Sequence, residues 1–416
     1  MIEKDKNYWL TIAPCVYCCI KQQQALLYNT ANGKSLEIEN NNIVALIQQL
    51  YEKKNLGAIY CQGEMLMQHP YKEFVSELLE KEIGNVIDVT YVPEKPVQMM
   101  PILNLQCDVD RLQKIGERSV GEDVLRYLLE LNIYLYDACD RHCTHCKRYA
   151  RQCLCCRTGY NEKAQFLDAS VLQRVLLQIQ YGVVGKLNLL GGNIFQYPFF
   201  QELPNLLSGF KGQVHIWNHY ANFASTEALN PDFIYNVVVP FPIEEKLLQC
   251  TLSSLRDLRV NVHFYITQMA EYERVESLIE QYKIENYAIH AVYIGNNLLF
   301  FEENVYMNKI DILKNRYSFN HIFTNQKMNS RFFGSLTIIE NGDVYANVNR
   351  DTLGNVIDDT LIDIINKEMN LNTAWRQTRN TAPCSDCLYQ YLCPPPSNYE
   401  ILIGKPNLCN SQGESQ

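Results

Sequence analysis

The apolar positions of this chain change period several times, and the changes mark its elements. Leu131-Asn132-Ile133-Tyr134-Leu135-Tyr136 is a run of apolar and aromatic residues that reads as a buried strand. Strand and helix signals alternate after it. A helix begins near Asp168, with Asp168 or Ser170 as its cap, and runs to Tyr181; strand Lys186 to Leu190 follows, then a helix near Phe199 to Phe210. Next come strand Gln213 to Trp217, strand Tyr235 to Val239, helix Glu244 to Leu258, strand Val260 to Thr267, helix Glu271 to Lys283 and strand Tyr287 to Tyr293. Six strands with helices between most of them require parallel pairing through right-handed crossovers. The predicted class is α/β, an open β/α barrel whose site lies at the C-terminal strand ends.

The flanking regions have a different pattern. Residues 8 to about 90 read as a small α+β module, with Tyr8 to Ile20 strand-like and a hairpin of Gln24 to Thr30 with Lys34 to Ile38 around Ala31-Asn32-Gly33. Asn41-Asn42 is placed to cap a helix from Ile43 to about Lys54, whose Ile43, Leu46, Ile47, Leu50 and Tyr51 share one face. A second helix fits Lys72 to Lys81, with Gly84 closing it. Pro93, Pro96 and Pro101 mark an extended linker. Toward the C-terminus, Leu336 to Ile339 and Val344 to Ala346 flank Asn341-Gly342-Asp343 as another hairpin, and a helix runs from about Thr360 to Trp375. The expected division is a module over 1–90, a linker over 91–125, the barrel over 126–315 and a C-terminal extension over 316–416.

Composition narrows the function. At 416 residues with a formal net charge of −9, the chain has ample material for cores and no dense basic run, which argues against nucleic acid. No apolar segment reaches the ~20 residues of a membrane span, and Met1-Ile2-Glu3-Lys4-Asp5-Lys6 lacks the apolar centre of a signal peptide. The expected compartment is the cytoplasm. Sixteen cysteines in such a chain are poor candidates for disulfides, and ten of them fall in two short windows, so metal binding is the economical explanation.

The first window runs from Cys139 to Cys156 and opens with Cys139-Asp140-Arg141-His142-Cys143-Thr144-His145-Cys146, which directly follows the strand at Leu131. Its CX3CX2C spacing lets three sulfurs face a common centre on a loop at a strand end. Held by Cys139, Cys143 and Cys146, a cubane cluster keeps one iron open for an outside ligand. Zinc is the alternative, since Cys143, Cys146, Cys153 and Cys156 form two CX2C pairs. The preceding strand favours the cluster. Gly191-Gly192-Asn193 ends the second strand, where two glycines serve either a tight turn or a close backbone approach. Asn218, His219, Thr267 and Gln268 are polar groups at later strand ends, whereas His215 and His263, each inside an apolar strand, read as structural. Cys15, Cys18 and Cys19 alternate faces of a strand and read as buried free thiols. The second window, Cys384-X2-Cys387-X5-Cys393 with Cys409 fifteen residues on, suits zinc or a fully ligated cluster.

The CX3CX2C triad after a first strand resembles the radical S-adenosylmethionine (SAM) enzymes, in which it sits on a partial (β/α)6 barrel. That resemblance implies a 4Fe–4S cluster on Cys139, Cys143 and Cys146 whose open iron takes the amino and carboxylate groups of SAM, and one-electron cleavage to a 5′-deoxyadenosyl radical. Gly191, Gly192 and Asn193 stand where that family binds SAM with Gly-Gly-Glu, so the acid is replaced by a carboxamide. His145 stands where the family has an aromatic residue. The tail, with the Asn341-Gly342-Asp343 hairpin and Leu353-Gly354-Asn355-Val356, resembles the SPASM extension, which typically carries two auxiliary clusters. Asn347 and Ser397 occupy cysteine positions of one of these, and the cysteine before the hairpin is missing too. The resemblance therefore implies one auxiliary 4Fe–4S cluster, on Cys384, Cys387, Cys393 and Cys409.

The N-terminal module resembles leader-peptide recognition elements. Leu27-Tyr28-Asn29-Thr30, Gly33-Lys34 and Cys393-Pro394-Pro395-Pro396-Ser397-Asn398-Tyr399-Glu400 resemble a Bacteroidales group of pseudo-radical-SAM/SPASM proteins. That group accompanies a radical SAM maturase and ribosomally made precursor peptides with a Gly-Gly leader. Two readings follow: an enzyme that cleaves SAM with an electron donor's help and modifies such a peptide, or a non-catalytic partner that binds the precursor, an active maturase, or both.

Overall fold

In the computed structural model of the chain, residues 2–97, 124–141, 143, 146, 151–156, 165–223 and 229–410 are described. His145 and most of the expected linker lie outside them. The N-terminal module contains strands β1 (Asn7–Ile12), β2 (Val16–Lys21), β3 (Gln24–Asn29), β4 (Ser35–Ile38), β5 (Ala58–Gln62) and β6 (Gly84–Asp88). These make two three-stranded antiparallel sheets, ordered β5-β1-β6 and β2-β3-β4. The run Tyr8 to Ile20, expected as one strand, is split at Pro14. Proline has no amide for the ladder, and the turn closed by Val16 N on Ala13 O sends β2 into the second sheet.

Two boundaries shift for identifiable reasons. Asn40 rather than Asn41 caps helix Asn41–Tyr51, its side chain accepting from the amides of Asn42 and Ile43. Gly84 does not close helix Tyr71–Glu80; it opens β6, where a Cβ would lie 2.0 Å from the Thr11 carbonyl oxygen. The glycine is needed for strand contact.

The module is fastened to the C-terminal region by a second apolar cluster. Tyr17, Leu26 and Tyr28 pack with Ile312, Tyr317, Ile322, Tyr389 and Leu392. Fully buried Tyr28 donates to Asn315 O (3.2 Å) and accepts from Tyr317 N (2.9 Å), and Lys309 pairs with Glu37 at 2.6 Å.

The rest of the chain is organised by one nine-stranded sheet. Its strands are β7 (Glu130–Tyr134), β8 (Lys186–Leu190), β9 (Gln213–His219), β10 (Ile234–Pro240), β11 (Arg259–Ile266), β12 (Tyr287–Ala291), β13 (Ser335–Ile338), β14 (Asp343–Tyr345) and β15 (Gly354–Asn355). The order is β12-β11-β10-β9-β8-β7-β13-β14-β15, parallel from β12 through β13 and antiparallel beyond. The expected six-strand parallel series is thus present in order, and the C-terminal hairpin extends it from the β7 edge. Helices Ala169–Ile179, Glu245–Ser254, Met269–Tyr282 and Leu361–Leu371 bury Leu172, Leu248, Val275 and Ile364 in the core on one face. The helix expected over Phe199 to Phe210 is reduced to the short turns Phe200–Glu202 and Leu203–Leu206, with Pro204 in the first turn of the second.

The other face is polar, and it explains why asparagine and histidine sit inside apolar strands. Asn132 donates to Ser335 and Thr337 (3.1 and 3.3 Å), Asn188 donates to Asn132 Oδ1 (2.7 Å), and Trp217 Nε1 donates to Asn188 Oδ1 (2.9 Å). Farther along, Asn236 meets His215 Nδ1 (3.1 Å) and His263 Nε2 (3.1 Å), and His263 Nδ1 meets His290 Nε2 (3.0 Å). Burial pushes His215 and His290 down to about 4 and His263 to about 3, so the belt is held by neutral imidazoles. His215 and His263 are structural, as expected. Glu130 of β7, His290 of β12 and Thr337 of β13 line one cavity, so the sheet is curved around this face.

Candidate functional site

The site is built where β7 and β8 end. Gly191 and Gly192 follow β8 at φ +139° and +43°. A Cβ on Gly191 would lie 2.3 Å from Tyr136 O, and one on Gly192 would lie 2.0 Å from Ala138 O. Both glycines are therefore required by close approach to the root of the cysteine loop. Asn193 lies on the same contact, donating its amide to Ala138 O at 2.8 Å. Its carboxamide oxygen accepts from Asn218 Nδ2 (3.1 Å), whose own oxygen accepts from Asn222 Nδ2 (2.7 Å). Arg141, inside the cysteine loop, reaches Asn222 Oδ1 at 3.3 Å. The polar strand-end residue Asn218 thus links loop and sheet.

Of the expected triad, Cys143 and Cys146 are hydrogen-bonded to each other, and Cys139 lies within electrostatic range of Cys143. The Cys143 thiol is pushed far up by its hydrogen bond with Cys146 and by burial, and it also faces Cys156, Cys146 and Cys139. Two further thiols join them. Cys155 is hydrogen-bonded to Cys146 and lies with its sulfur 3.8 Å from that of Cys156; each residue is 2 % exposed. Cys153, pushed up to about 12 by burial, lies nearby against Tyr399. Sequence spacing alone grouped Cys153 and Cys156 with the triad only for zinc, and it left Cys155 unassigned.

Residues 151–156 occupy the mouth formed by the strand ends. Cys155 and Cys156 pack among Tyr134, Leu190, Trp217, Val238, Tyr265 and Val292, one from the end of each strand of the series or just beyond it. The segment's backbone is held on several sides. Gly191 N donates to Cys156 O (2.8 Å), Tyr134 Oη to Cys155 O (3.2 Å) and Tyr265 Oη to Leu154 O. Gln152 exchanges hydrogen bonds with the Tyr293 backbone (2.9 and 2.7 Å). Arg151 is 6 % exposed; its Nη2 donates to Cys146 O (3.2 Å) and its Nε has no partner among the described residues. Burial works against its charge, yet Cys155, Cys146 and Tyr134 beside it outweigh that and hold it above its ordinary range. A buried guanidinium requires negative charge close by.

Asn347 and Ser397, expected from the resemblance to replace cysteines, belong to a hydrogen-bonded network. Asn347 donates to Asn398 Oδ1 (2.7 Å), and Ser397 caps helix Asn398–Ile403 in a capping box with Glu400. Asn349 donates to the same Asn398 oxygen (3.0 Å), accepts from Arg151 N (2.8 Å) and donates to Arg151 O (2.6 Å). The network therefore anchors the segment in the mouth.

The tail cysteines form a separate site. Cys384, Cys387, Cys393 and Cys409 line one small cavity with Arg379. Burial pushes Cys393 up to about 12 and raises Cys384 and Cys387, each with the other thiols adding in the same direction. Arg379 reaches Cys384 Sγ at 3.7 Å and pairs with Glu400 at 2.8 Å. Four thiols with a buried cation suit a metal group that draws off their protons. Among the described residues, no group of three or more His, Cys, Asp or Glu side chains is placed to hold a single metal ion, and no helix is long and apolar enough to cross a membrane. Cys15, Cys18 and Cys19 form no disulfide; Cys19 is buried as expected, but Cys15 and Cys18 are half-buried and Cys15 lies in the turn before β2, while Cys18 and Cys19 take opposite faces of that strand.

No family model matches the chain, and no curated protein matches it. Among solved structures it is similar to Streptococcus suis SuiB. Against SuiB bound to S-adenosylmethionine the identity is 14 % and the TM-score 0.47, over 96 % of this chain and 99 % of that one. Against SuiB bound to precursor peptide SuiA the values are 13 % and 0.44, over 98 % and 100 %. A third SuiB crystal structure gives 13 % and 0.46, over 96 % and 98 %. Identities of 13–14 % with TM-scores below 0.5 leave the function to be argued from this chain's own residues.

Proposed function

We propose that this chain is an iron–sulfur protein on a partial (β/α)6 barrel of the radical SAM type with a SPASM-like extension, acting in peptide maturation as a precursor-binding partner that does not cleave SAM. One observation carries the reading: residues 151–156 fill the mouth and engage the Gly191 amide and the Tyr134 and Tyr265 hydroxyls, groups a ligand there would address. Cys139, Cys143 and Cys146 would hold one 4Fe–4S cluster, and Cys384, Cys387, Cys393 and Cys409 a second. Such clusters supply one-electron chemistry when bound. Buried Arg151, whose Nε has no partner among the described residues, supports an anionic group at the first centre; at the second, Arg379 is already paired with Glu400, and the four thiols around one cavity carry the assignment. The residues expected to bind SAM fit it poorly, because Gly191 N, Asn193 N and Asn193 Oδ1 are all engaged within the chain.

A peptide partner is supported by the N-terminal module. Its sheets end in edge strands β5 and β6, and β2 and β4, and an extended leader adds to such an edge through main-chain hydrogen bonds. Trp9 and exposed Tyr60, with ring centroids 5.6 Å apart, offer an aromatic surface on the β1–β5 pair. A separate maturase and its electron donor would then perform the chemistry, in the cytoplasm, where thiols stay reduced. Fluorescence polarisation with a labelled Gly-Gly-leader precursor and the reconstituted full chain tests this. Saturable binding, with no change in peptide mass after incubation with reductant and SAM, is expected. Modification of the peptide by this chain alone overturns the partner role, and no binding up to about 100 μM overturns the peptide system.

One observation favours the enzyme reading. A cavity of about 340 Å³ lies at the ends of β10 and β11, lined by Phe241, Pro242, Thr267, Gln268 and Glu271 and sharing Tyr265 and Val292 with the mouth. Its mixed apolar and polar walls suit a nucleoside, so displacement of residues 151–156 would give SAM a place to bind.

A further inference from the structure

Cys143, Cys146, Cys155 and Cys156 make successive thiol contacts at the strand ends, with Cys139 in electrostatic range of Cys143, and the two thiols beyond the sequence motif arrive on a segment fixed from several sides. Cys155 touches both Cys146 and Cys156, and Cys156 faces Cys143. The carbonyls of Leu154, Cys155 and Cys156 are each tied to a different strand end, and Asn349 holds Arg151 from the opposite side. Arg151 is the independent sign of what belongs there. It is buried, its Nε lacks a hydrogen-bond partner among the described residues, and Cys155, Cys146 and Tyr134 lie beside it.

We propose that Cys155 or Cys156 supplies a fourth thiolate to the cluster held by Cys139, Cys143 and Cys146, so that the iron otherwise left open is closed by the protein itself. The thiol gives up its proton to solvent as the iron–sulfur bond forms, and the cluster keeps its oxidation state. A centre with four thiolates has no iron free for an outside ligand. The proposal rests on the cluster assigned above and adds the reason why that cluster does not take SAM.

The test is the EPR spectrum of the reduced, anaerobically reconstituted full chain, recorded with and without SAM. The wild-type signal is expected to be unmoved by SAM. The Cys155→Ser/Cys156→Ser double variant, keeping its iron and sulfide, is expected to shed one iron under mild ferricyanide and to give a three-iron EPR signal that the wild type does not give. If the double variant does not fold, mild ferricyanide oxidation of the wild type decides the matter. A cluster with an open iron sheds it and gives a three-iron signal, while the closed cluster proposed here gives none. A wild-type spectrum moved by SAM, or a wild-type three-iron signal, overturns this proposal alone. Iron content that Cys143→Ala leaves unchanged overturns both the proposal and the cluster assignment beneath it.

Discussion

The two cysteine groups proposed to hold clusters share a chemistry and differ in how they are assembled. In the tail, Cys384, Cys387, Cys393 and Cys409 line one small cavity and lie within a short stretch of chain. At the strand ends, Cys139, Cys143 and Cys146 lie on one loop, while Cys155 and Cys156 reach them on a segment held by β7, β8, β11 and the Tyr293 backbone. The tail site is set mainly by spacing, and the strand-end site mainly by tertiary structure. A site of the first kind tolerates change in the rest of the molecule; one of the second kind depends on the strand ends, the glycine turn and the asparagine network together.

The largest effect expected from this contrast is on metal content. Cys143→Ala should remove about half of about eight irons, as should Cys393→Ala, by iron and sulfide analysis of reconstituted protein. The two losses should be independent, and loss of all iron in either variant would break the distinction.

Substitution at the turn comes next. Gly192→Ala places a Cβ on the Ala138 carbonyl oxygen at positive φ and should cost about 2–4 kcal/mol in urea unfolding. Gly185→Ala, with nothing within 4 Å of its added Cβ, should cost less than about 1 kcal/mol. The first should reduce iron at the strand-end site and leave the tail site loaded.

Asn349→Ala removes two hydrogen bonds to the Arg151 backbone and one to Asn398, a loss of about 1–3 kcal/mol. Hydrogen exchange should rise at residues 151–156 and stay unchanged around Cys384. Equal protection in the two proteins would show that the network does not hold the segment.

These effects indicate which features were legible in the chain. Strand Lys186–Leu190 was readable to the residue, because its apolar run is bounded by glycines on both sides. The grouping of the tail cysteines was readable because they keep a recognisable spacing, and in the fold they line one cavity. Cys155 was not, because its role depends on Tyr134, Cys146 and Tyr265, which only the curved sheet brings to it. The expected helix over Phe199 to Phe210 failed where Pro204 shortened it, and the split of the Tyr8 to Ile20 run at Pro14 had a signal, the proline itself. Asn347 and Ser397 were visible as departures from a pattern, but their use in fixing Arg151 through Asn398 and Asn349 was not.

The smallest expected effect comes from the histidine belt. His215, His263 and His290 are held near 4, 3 and 4, below the 6.5 of an ordinary histidine, so the unfolded chain binds more protons between those limits. Stability from the belt is present above about pH 6.5 and is lost as pH falls toward 4, by at most about 1.4 kcal/mol per pH unit per histidine and less for the partly exposed His263 and His290. Thermal unfolding from pH 7 to pH 5 should fall less steeply in His215→Asn than in the wild type.

The most direct test of the account is the release of 5′-deoxyadenosine from SAM by the reduced protein once iron has been shown at both centres. The account predicts two loaded clusters and no 5′-deoxyadenosine. Release that disappears in Cys143→Ala would contradict it and make the chain a SAM-cleaving enzyme.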